Sequence, residues 1–225
     1  MDSELDEILE ALKNCNFDEL HSEGFYDEVV YPFKEKYHKP FSYDSGASKG
    51  VLIFEKLDYV IKIPFVGMYE SIYDEEMDEY YDDFETFQNA DGNGNGNWDY
   101  CKEEEKACEY AKTIGVNQLL AETTKIADIN GHPIYIQEYV KMYYDEYKIE
   151  HTEDQVEKVK TICSNSNYNC FNINWLADVF NYFGEEIFYK FMDFIDYWGI
   201  NDLHSGNIGY RKGKPVLVDY SGWNE

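Results

Sequence analysis

Three polar residues near the end of the chain have the types and the spacing that phosphoryl transfer uses. Asp202 is followed five positions later by Asn207, and an apolar stretch then leads to Asp219. In such a set one carboxylate accepts the proton of the attacking hydroxyl, while an amide oxygen and a second carboxylate hold the magnesium ions that bridge the phosphates. Asp202 is therefore the candidate catalytic base, and Asn207 and Asp219 are the candidate metal ligands.

The residues between Asn207 and Asp219 predict the element that positions the two ligands. A glycine-marked turn precedes the apolar run Pro215 to Val218, which is typical of a β-hairpin whose second strand delivers Asp219. His204 lies in the loop before this hairpin. We expect His204 to stabilise that loop by hydrogen bonding rather than to bind a metal.

The run Asp202-Leu-His-Ser-Gly-Asn207 resembles the catalytic loop of the protein kinase-like superfamily. Within that superfamily it is most similar to the aminoglycoside phosphotransferase-type and atypical kinases. The resemblance implies an α+β, bilobal fold with a β-sheet N-lobe and a minimal, mostly helical C-lobe. It also implies ATP and magnesium as cofactors, and it predicts that further superfamily motifs occur in a fixed order along the chain.

Two predicted strands around a turn at Glu55 to Asp58 carry the next of these motifs. Lys62 lies among apolar residues on the second strand and, by the resemblance, matches the lysine that pairs with the α- and β-phosphates. Gly46, Ser48 and Gly50 precede it, where the superfamily has its glycine-rich, phosphate-covering loop. The full G-x-G-x-x-G pattern is absent, so the assignment of this loop rests on its position before Lys62.

A helix predicted over Asp99 to Ile114 supplies the glutamate that the resemblance pairs with Lys62. Helical spacing puts Glu104 on the small, apolar face of this helix, with Glu105 as the alternative if the phase differs by one residue. A solvated acidic helix face would be the plain explanation of the same cluster. The order of the motifs favours Glu104 as the partner of Lys62. The face is formed by Cys101, Glu104, Cys108 and Ala111.

Two further strands are predicted at Leu119 to Ile126 and Ile134 to Val140, because they flank the strong hairpin signal Asn130-Gly131. In the superfamily the second of these strands runs into the hinge, whose backbone binds the adenine. By position, the resemblance assigns Glu138 and Val140 to nucleotide binding and either Gln137 or Ile136 to the gatekeeper place.

The predicted organisation has three parts: a helical extension over residues 1–40, an N-lobe over 41–138 with an acidic insertion at 68–99, and a C-lobe over 139–225. Within the C-lobe, helices are predicted at Thr152 to Ile162 and at Trp175 to Tyr197, the second buried nearly all round. Because few residues follow Asp219, we expect the C-lobe to lack the activation segment and the helices that follow it in protein kinases.

The charge of the chain is strongly negative, with 19 basic and 46 acidic residues among 225. This balance excludes direct binding of DNA or RNA, whose phosphates require basic surfaces. The segment Met68 to Asp99 contains 11 acidic residues and no basic one, and it includes a glycine-asparagine tract that predicts a flexible loop. This segment is either a solvated insertion or a surface that imitates nucleic acid in order to occupy a basic groove on a partner.

The remaining composition indicates a folded protein of a reducing compartment. Hydrophobic residues make up 44% of the chain, and no apolar run reaches the length of a membrane span. The five cysteines form no Cys-x-x-Cys pattern, and we expect no secretory leader because the first residues are acidic and contain no signal-peptide core. We therefore expect reduced thiols and a cytoplasmic location, in the host cytoplasm if a phage encodes the protein.

Taken together, the motifs predict a phosphotransferase that moves the γ-phosphate of ATP to a hydroxyl group of a protein or small molecule. Small kinase-like chains of this kind resemble open reading frames of phage genomes. The alternative is therefore an inert or merely nucleotide-binding kinase fold that acts as an acidic inhibitor of a host protein. Both predictions expect a nucleotide or protein partner and no membrane contact.

Overall fold

The computed structural model describes residues 3–74, 77, 79–86, 99–143, 152–163 and 171–220. Over these residues the protein is α+β, with α-helices and three β-sheets. Internal contacts divide the chain into two units. The first unit comprises Met1–Lys102 and Thr124–Gln137, and the second comprises Glu103–Thr123 and Glu138–Glu225.

The described residues form six α-helices and ten strands. The helices are α1 (Ser3–Leu12), α2 (Tyr31–Lys36), α3 (Tyr100–Ile114), α4 (Glu153–Cys163), α5 (Ile173–Phe183) and α6 (Glu185–Trp198). The strands are β1 (Ser42–Ser45), β2 (Lys49–Phe54), β3 (Tyr59–Pro64), β4 (Gly67–Asp74), β5 (Glu79–Thr86), β6 (Thr123–Ile129), β7 (His132–Glu138), β8 (Lys141–Met142), β9 (Ile208–Arg211) and β10 (Lys214–Leu217).

The main sheet has the strand order β1-β2-β3-β7-β6, and its two predicted turns are confirmed. A 3₁₀ turn at Glu55–Leu57 joins β2 to β3 and ends at Asp58, whose φ is 61°. Asn130 and Gly131 join β6 to β7 with φ values of 54° and 83°. Two successive positive φ values are what a type I′ turn requires, and Asn-Gly meets that requirement at low cost.

One face of the main sheet is apolar. Side chains alternate between the faces of a strand, and the register pairs Gly50 with Ile63 and Val51 with Lys62. Ile63 packs in the apolar core, so it lies on the apolar face. Val51 and Lys62 therefore lie on the opposite face. The apolar face packs against the N-terminal helices in one core that includes Ile8, Leu12, Phe25, Val29, Phe33, Leu52, Phe54, Ile61, Ile63 and Ile134.

The segment predicted as an N-terminal extension, residues 1–40, contributes side chains between Ile8 and Tyr37 to that core. α1 contributes Ile8 and Leu12, and a π-helical turn at Tyr26–Val30 leads into α2. Phe25 lies so close to β2 that a Cβ atom at Gly50 would come within 2.3 Å of the ring. The N-terminal residues thus cover the sheet by a close contact that only glycine allows.

The acidic insertion contains a β-hairpin that the sequence analysis did not predict. β4 and β5 pair antiparallel over their full length, with Tyr69 opposite Phe84 and Tyr73 opposite Tyr80. Their rings contact each other in pairs, with centroids 5.2 and 5.0 Å apart. His21 packs edge-on against Tyr69 at the base of the hairpin. The glycine-asparagine tract, predicted as a flexible loop, lies outside the described residues.

The second unit has its own core, built by α3 to α6 and the small sheet β10-β9-β8. Residues 103–123, which the sequence analysis assigned to the N-lobe, belong to this unit. The physical reason is that the buried side of α3 and the segment after it pack in the second core, through Ala107, Cys108, Ala111, Val116, Leu119 and Leu120.

Three predicted elements of secondary structure are wrong in their bounds. The strand predicted over Ile134 to Val140 lies at His132–Glu138 and ends before Val140. The helix predicted over Trp175 to Tyr197 is two helices, because Gly184 between α5 and α6 has a φ of 81°. The strand predicted from Leu119 begins only at Thr123, since Asn117–Leu119 forms a 3₁₀ turn. Helix α5 is buried on all sides from Trp175 to Val179 and exposes Tyr182 near its end, whereas α6 buries one side and exposes Tyr197.

The four described cysteines are buried thiols, namely Cys15, Cys101, Cys108 and Cys163. Burial raises the pKa of Cys15 to about 12 and the pKa values of Cys108 and Cys163 to about 11. Among the described residues, no helix has both the length and the apolar character that crossing a membrane requires.

Candidate functional site

The loop between α6 and β9 brings Asp202 and Asn207 together. The side-chain amide of Asn207 donates a hydrogen bond to the backbone carbonyl of Asp202 over 2.9 Å and a longer one to its Oδ2 atom over 3.3 Å. Because the amide nitrogen is directed at Asp202, the amide oxygen Oδ1 of Asn207 is directed away from it. Both side chains are partly exposed, as groups that meet a substrate and a metal need to be.

His204 stabilises this loop by hydrogen bonding, as predicted. Its Nδ1 atom accepts the backbone N–H of Gly206 over 2.9 Å, and its carbonyl accepts the N–H of Asn207 over 2.9 Å. Its Nε2 atom lies 3.4 Å from Oδ2 of Asp202. A Cβ atom at Gly206 would be 2.6 Å from Cε1 of His204, so the glycine of the motif allows the imidazole to fold back over the loop.

Asp219 is held next to Asn207 by the backbone. The N–H groups of Val218 and Asp219 both donate to the carbonyl of Asn207, over 2.7 and 3.3 Å. The predicted hairpin is confirmed: β9 and β10 pair antiparallel around Lys212 and Gly213, whose positive φ values of 51° and 81° again fit a type I′ turn. The three candidate residues Asp202, Asn207 and Asp219 thus form one hydrogen-bonded arrangement.

Two side chains of α5 hold this arrangement in place by bonding to β9. The indole N–H of Trp175 donates to the carbonyl of Gly209 over 3.3 Å, and the hydroxyl of Tyr210 donates to the buried carboxylate of Asp178. Burial and the neighbouring Asp178 raise the pKa of Tyr210. The sequence does not predict these supports, since an Asp in an apolar helix gives no sign of the tyrosine that it contacts.

Glu104 is fully buried, at 0% exposure, on the predicted face of α3. Glu103 and Glu105 are partly exposed, and Glu103 forms an ion pair with Lys106 over 2.6 Å. The helical phase is therefore the predicted one, and Glu104 rather than Glu105 points into the protein. Its carboxylate accepts a hydrogen bond from the hydroxyl of Thr123 over 2.7 Å.

Tyr220 connects this buried carboxylate to the candidate metal ligand that precedes it in the chain. Its hydroxyl donates to the carbonyl of Ala121 over 2.5 Å and lies 3.4 Å from the hydroxyl of Thr123. Burial, and after it the charge of Glu104, raise the pKa of Tyr220 well above its usual value. The tyrosine is thus a neutral donor. Neither Tyr220 nor Thr123 is predicted from the sequence as a part of the site.

In the first unit, the face of the sheet opposite the apolar core carries polar side chains. Lys62 lies there at 3% exposure. Ile134 packs in the apolar core, so Tyr135 and Gln137 lie on the face of Lys62. The hydroxyl of Tyr135 donates to Asp99 over 2.5 Å, and burial raises the pKa of that carboxyl group. Of the two gatekeeper candidates, Gln137 lies on the face of Lys62, and Ile136 packs against the apolar core.

The predicted glycine-rich loop is the turn between β1 and β2. The N–H of Gly46 donates to the carbonyl of Lys49 over 3.0 Å, and the carbonyl of Ser48 accepts the N–H of Phe65 over 2.8 Å. Gly50 lies within β2, and its close contact with Phe25 is sufficient to explain why this position is a glycine. The assignment of Gly46, Ser48 and Gly50 to phosphate binding stays a prediction.

The chain leaves the first unit after Gln137, at the place that the sequence analysis assigned to the hinge. The side chain of Glu138 forms an ion pair with Arg211. Val140 is buried in a small cluster with Ala121 and Val216. Binding of adenine by the backbone at Glu138 and Val140 stays a prediction, as does the ion pair between Lys62 of the first unit and Glu104 of the second.

The described residues contain no group of three or more His, Cys, Asp and Glu side chains that could hold a metal ion by itself. The oxygen atoms of Asn207 and Asp219 suit magnesium, which is usually bound through one or two protein carboxylates together with substrate phosphates and water. Comparisons of the chain with protein-family models, with curated proteins and with solved structures gave no match.

Proposed function

We propose that the protein is an ATP- and magnesium-dependent phosphotransferase with a protein kinase-like fold, acting on a hydroxyl group of a protein or small molecule. One observation carries the proposal. The side chain of Asn207 is bonded to Asp202 while its carbonyl receives the N–H groups of Val218 and Asp219. A candidate base and two candidate metal ligands are therefore held together by specific hydrogen bonds rather than only by their spacing in the sequence.

In the proposed reaction, Asp202 accepts the proton of the acceptor hydroxyl as that oxygen attacks the γ-phosphorus atom and the bond to the β-phosphate oxygen breaks. The carboxylate is partly exposed, and its backbone carbonyl and Oδ2 are both bonded to Asn207, which fixes its direction. Asn207 and Asp219 would hold the magnesium, which supplies positive charge against the phosphate oxygens. Lys62 would bind the α- and β-phosphates.

The buried network of Glu104, Thr123 and Tyr220 is a second observation that supports the same proposal. It links the helix that carries Glu104 to the residue directly after Asp219. A change in the position of that helix should therefore shift the backbone at Asp219, the candidate metal ligand. We propose that this network keeps Asp219 oriented, and that Glu104 in turn positions Lys62.

Calorimetry with MgATP tests whether the nucleotide binds. The wild type should bind, and Asp219→Ala should abolish the magnesium-dependent part of the affinity. Asp193→Ala is a matched control, because Asp193 is an exposed aspartate of α6 that has no proposed role in the site. Absence of binding by the wild type at millimolar MgATP would contradict the proposal.

A transfer assay with γ-labelled ATP tests the catalytic role of Asp202. Asp202→Asn keeps an oxygen for Asn207 to bond but removes the base, so transfer should fall by about 10²- to 10⁴-fold. MgATP affinity should stay unchanged in this variant. If Asp202→Asn transferred phosphate at the wild-type rate, Asp202 would not be the base.

The second candidate function is that of an acidic protein which occupies a basic surface on a partner. The hairpin of β4 and β5 favours it, because Tyr69, Tyr73 and Tyr80 are exposed on a segment with no basic residue. Replacing residues 68–97 with a short linker separates the two functions. This replacement spares Asp99, which caps α3 by accepting the N–H of Lys102 over 3.0 Å.

The two functions predict opposite outcomes for this variant. A phosphotransferase should keep its transfer activity without the hairpin, since the proposed site residues lie elsewhere. An acidic inhibitor should lose its partner, and binding by the intact protein should weaken with salt because exposed charges are screened beyond about 8–10 Å at physiological ionic strength.

A further inference from the structure

The residues that follow the first unit run along β9 and are hydrogen-bonded to it through the backbone. β8 pairs antiparallel with β9, with Met142 opposite Gly209. The N–H of Tyr143 donates to the carbonyl of Ile208 over 2.9 Å. Since Ile208 directly follows Asn207, the segment 138–143 ends beside the loop that carries the candidate catalytic residues.

Gly209 allows this segment to approach β9 closely. A Cβ atom at Gly209 would lie 2.4 Å from the carbonyl oxygen of Lys141 and 2.7 Å from Cγ1 of Val140, distances at which the atoms would overlap. The φ angle of Gly209 is not positive, so no left-handed conformation requires a glycine here. The close approach of the segment therefore explains the glycine.

Arg211, two residues further along β9, holds the start of the same segment. It is the only arginine among the 19 basic residues of the chain, and its guanidinium group donates to the carboxylate of Glu138. Glu138 is the first residue after the chain leaves the first unit. Between Glu138 and β8, Val140 packs in a cluster with Val216 of β10. The segment is thus held to the hairpin of β9 and β10 at its start, middle and end.

The opposite end of the same hairpin holds the candidate metal ligands. The N–H groups of Val218 and Asp219 donate to the carbonyl of Asn207, where β9 begins and β10 ends. β9 and β10 pair over all four residues of each strand, so the hairpin is a spacer of fixed length. The segment proposed to bind adenine and the residues proposed to bind magnesium are therefore attached to one element.

We infer that Gly209 and Arg211 are positioning residues, which set the place of the backbone at Glu138 and Val140 relative to the metal ligands and thereby select the base of the nucleotide. This inference rests on the proposed function, because it concerns the segment to which adenine binding is assigned. Neither residue would contact the nucleotide itself. A displaced segment should lose its hydrogen bonds to the base, while the phosphates should stay bound at Lys62 and the magnesium.

Calorimetric titrations of the full chain with MgATP and MgCTP test the inference. The two nucleotides share ribose and triphosphate and differ only in the base, so the ratio of their affinities reports recognition of the base. We expect the wild type to prefer ATP. Gly209→Ala should weaken ATP binding by about 10-fold, the effect of one or two lost hydrogen bonds, and should leave the CTP affinity within about twofold of the wild-type value.

The ion pair is tested separately, and its effect should be smaller because solvent reaches it. The side chains of Arg211 and Glu138 are 26% and 53% exposed. Arg211→Gln and Glu138→Gln should each weaken ATP binding by about two- to fivefold, and the double variant should bind no more weakly than either, since both changes remove the same contact. Arg211→Lys should keep most of the preference for ATP. Lys212→Gln is the matched control, because Lys212 is an exposed lysine of the adjoining turn.

The outcomes separate this inference from the function on which it rests. If the wild type binds neither nucleotide at millimolar concentration, the phosphotransferase proposal fails and the positioning role fails with it. If the wild type binds ATP, the positioning role alone is overturned when CTP binds equally well, when Gly209→Ala leaves the ratio unchanged, or when that variant weakens both nucleotides in equal measure. Circular dichroism checks folding, and Arg211→Gln decides if Gly209→Ala unfolds, since the side chain of Arg211 is partly exposed.

Discussion

Protonation of His132 should destabilise the first unit as the pH falls. The imidazole is 4% exposed, stacks on Phe17 with a centroid separation of 4.8 Å, and its Nε2 lies 2.9 Å from the carbonyl of Pro64. Burial lowers the pKa of His132 from 6.5 to about 4, against a smaller opposing effect of its bond to Pro64 and of the charge of Asp128. The folded protein therefore holds the ring neutral at pH 7.

The direction and the size of the loss of stability follow from the difference between the pKa values of His132 in the unfolded and folded states. Below pH 6.5 the unfolded state binds a proton that the folded state refuses, so stability is complete above the unfolded pKa and is lost as the pH falls towards about 4. A difference of about 2.5 pKa units at 1.36 kcal/mol per unit sets an upper value of about 3 kcal/mol. Most of that loss should occur between pH 6.5 and 4.5.

Urea unfolding at a series of pH values measures this loss. The many carboxylates also contribute to the pH dependence, so the informative quantity is the difference between the wild type and His132→Gln. That difference should change by about 2–3 kcal/mol between pH 7.5 and 4.5. His38→Gln is the control, because His38 is exposed. A difference that stays constant with pH would show that His132 is not held neutral by burial.

Three further changes test contacts that the structure defines. Tyr220→Phe removes a buried hydroxyl and its bond to a backbone carbonyl, and should lower the free energy of unfolding in urea by about 1–3 kcal/mol while weakening MgATP binding. Gly50→Ala would place a Cβ atom 2.3 Å from Phe25, and should destabilise the protein by about 1–3 kcal/mol in the same assay; an unchanged midpoint would contradict that contact. Gly206→Ala forces His204 out of the loop and should reduce magnesium-dependent ATP affinity, with global stability unchanged as its control readout.

Sequence predicted best what is set by neighbouring residues. The turn at Asn130-Gly131 was foreseen because such a pair adopts positive φ at little cost, and the hairpin at Gly213 followed the same logic. The inward phase of Glu104 was also predicted, because helical spacing alone decides which of three successive glutamates shares the face of small residues.

Contacts between distant residues could not be predicted in this way. Thr123 donates a hydrogen bond to Glu104, which lies 19 positions away, and Tyr220 donates one to Ala121, which lies 99 positions away. No local sequence pattern predicts either hydrogen bond. The break at Gly184 was missed because an apolar run on both sides of a glycine also fits one continuous buried helix. The hairpin of β4 and β5 was not predicted, because the many acidic residues of this segment hide the pattern typical of strands.

The alkylation rates of the buried thiols should report how often the core around each of them opens. Only the thiolate attacks alkylating reagents, and burial keeps the pKa values of Cys15, Cys108 and Cys163 far above neutrality. Labelling must therefore wait until the surrounding core opens. Because Cys15 belongs to the first unit and the other two belong to the second, mass-resolved labelling rates would report the opening of each unit separately and would show which one a bound nucleotide slows.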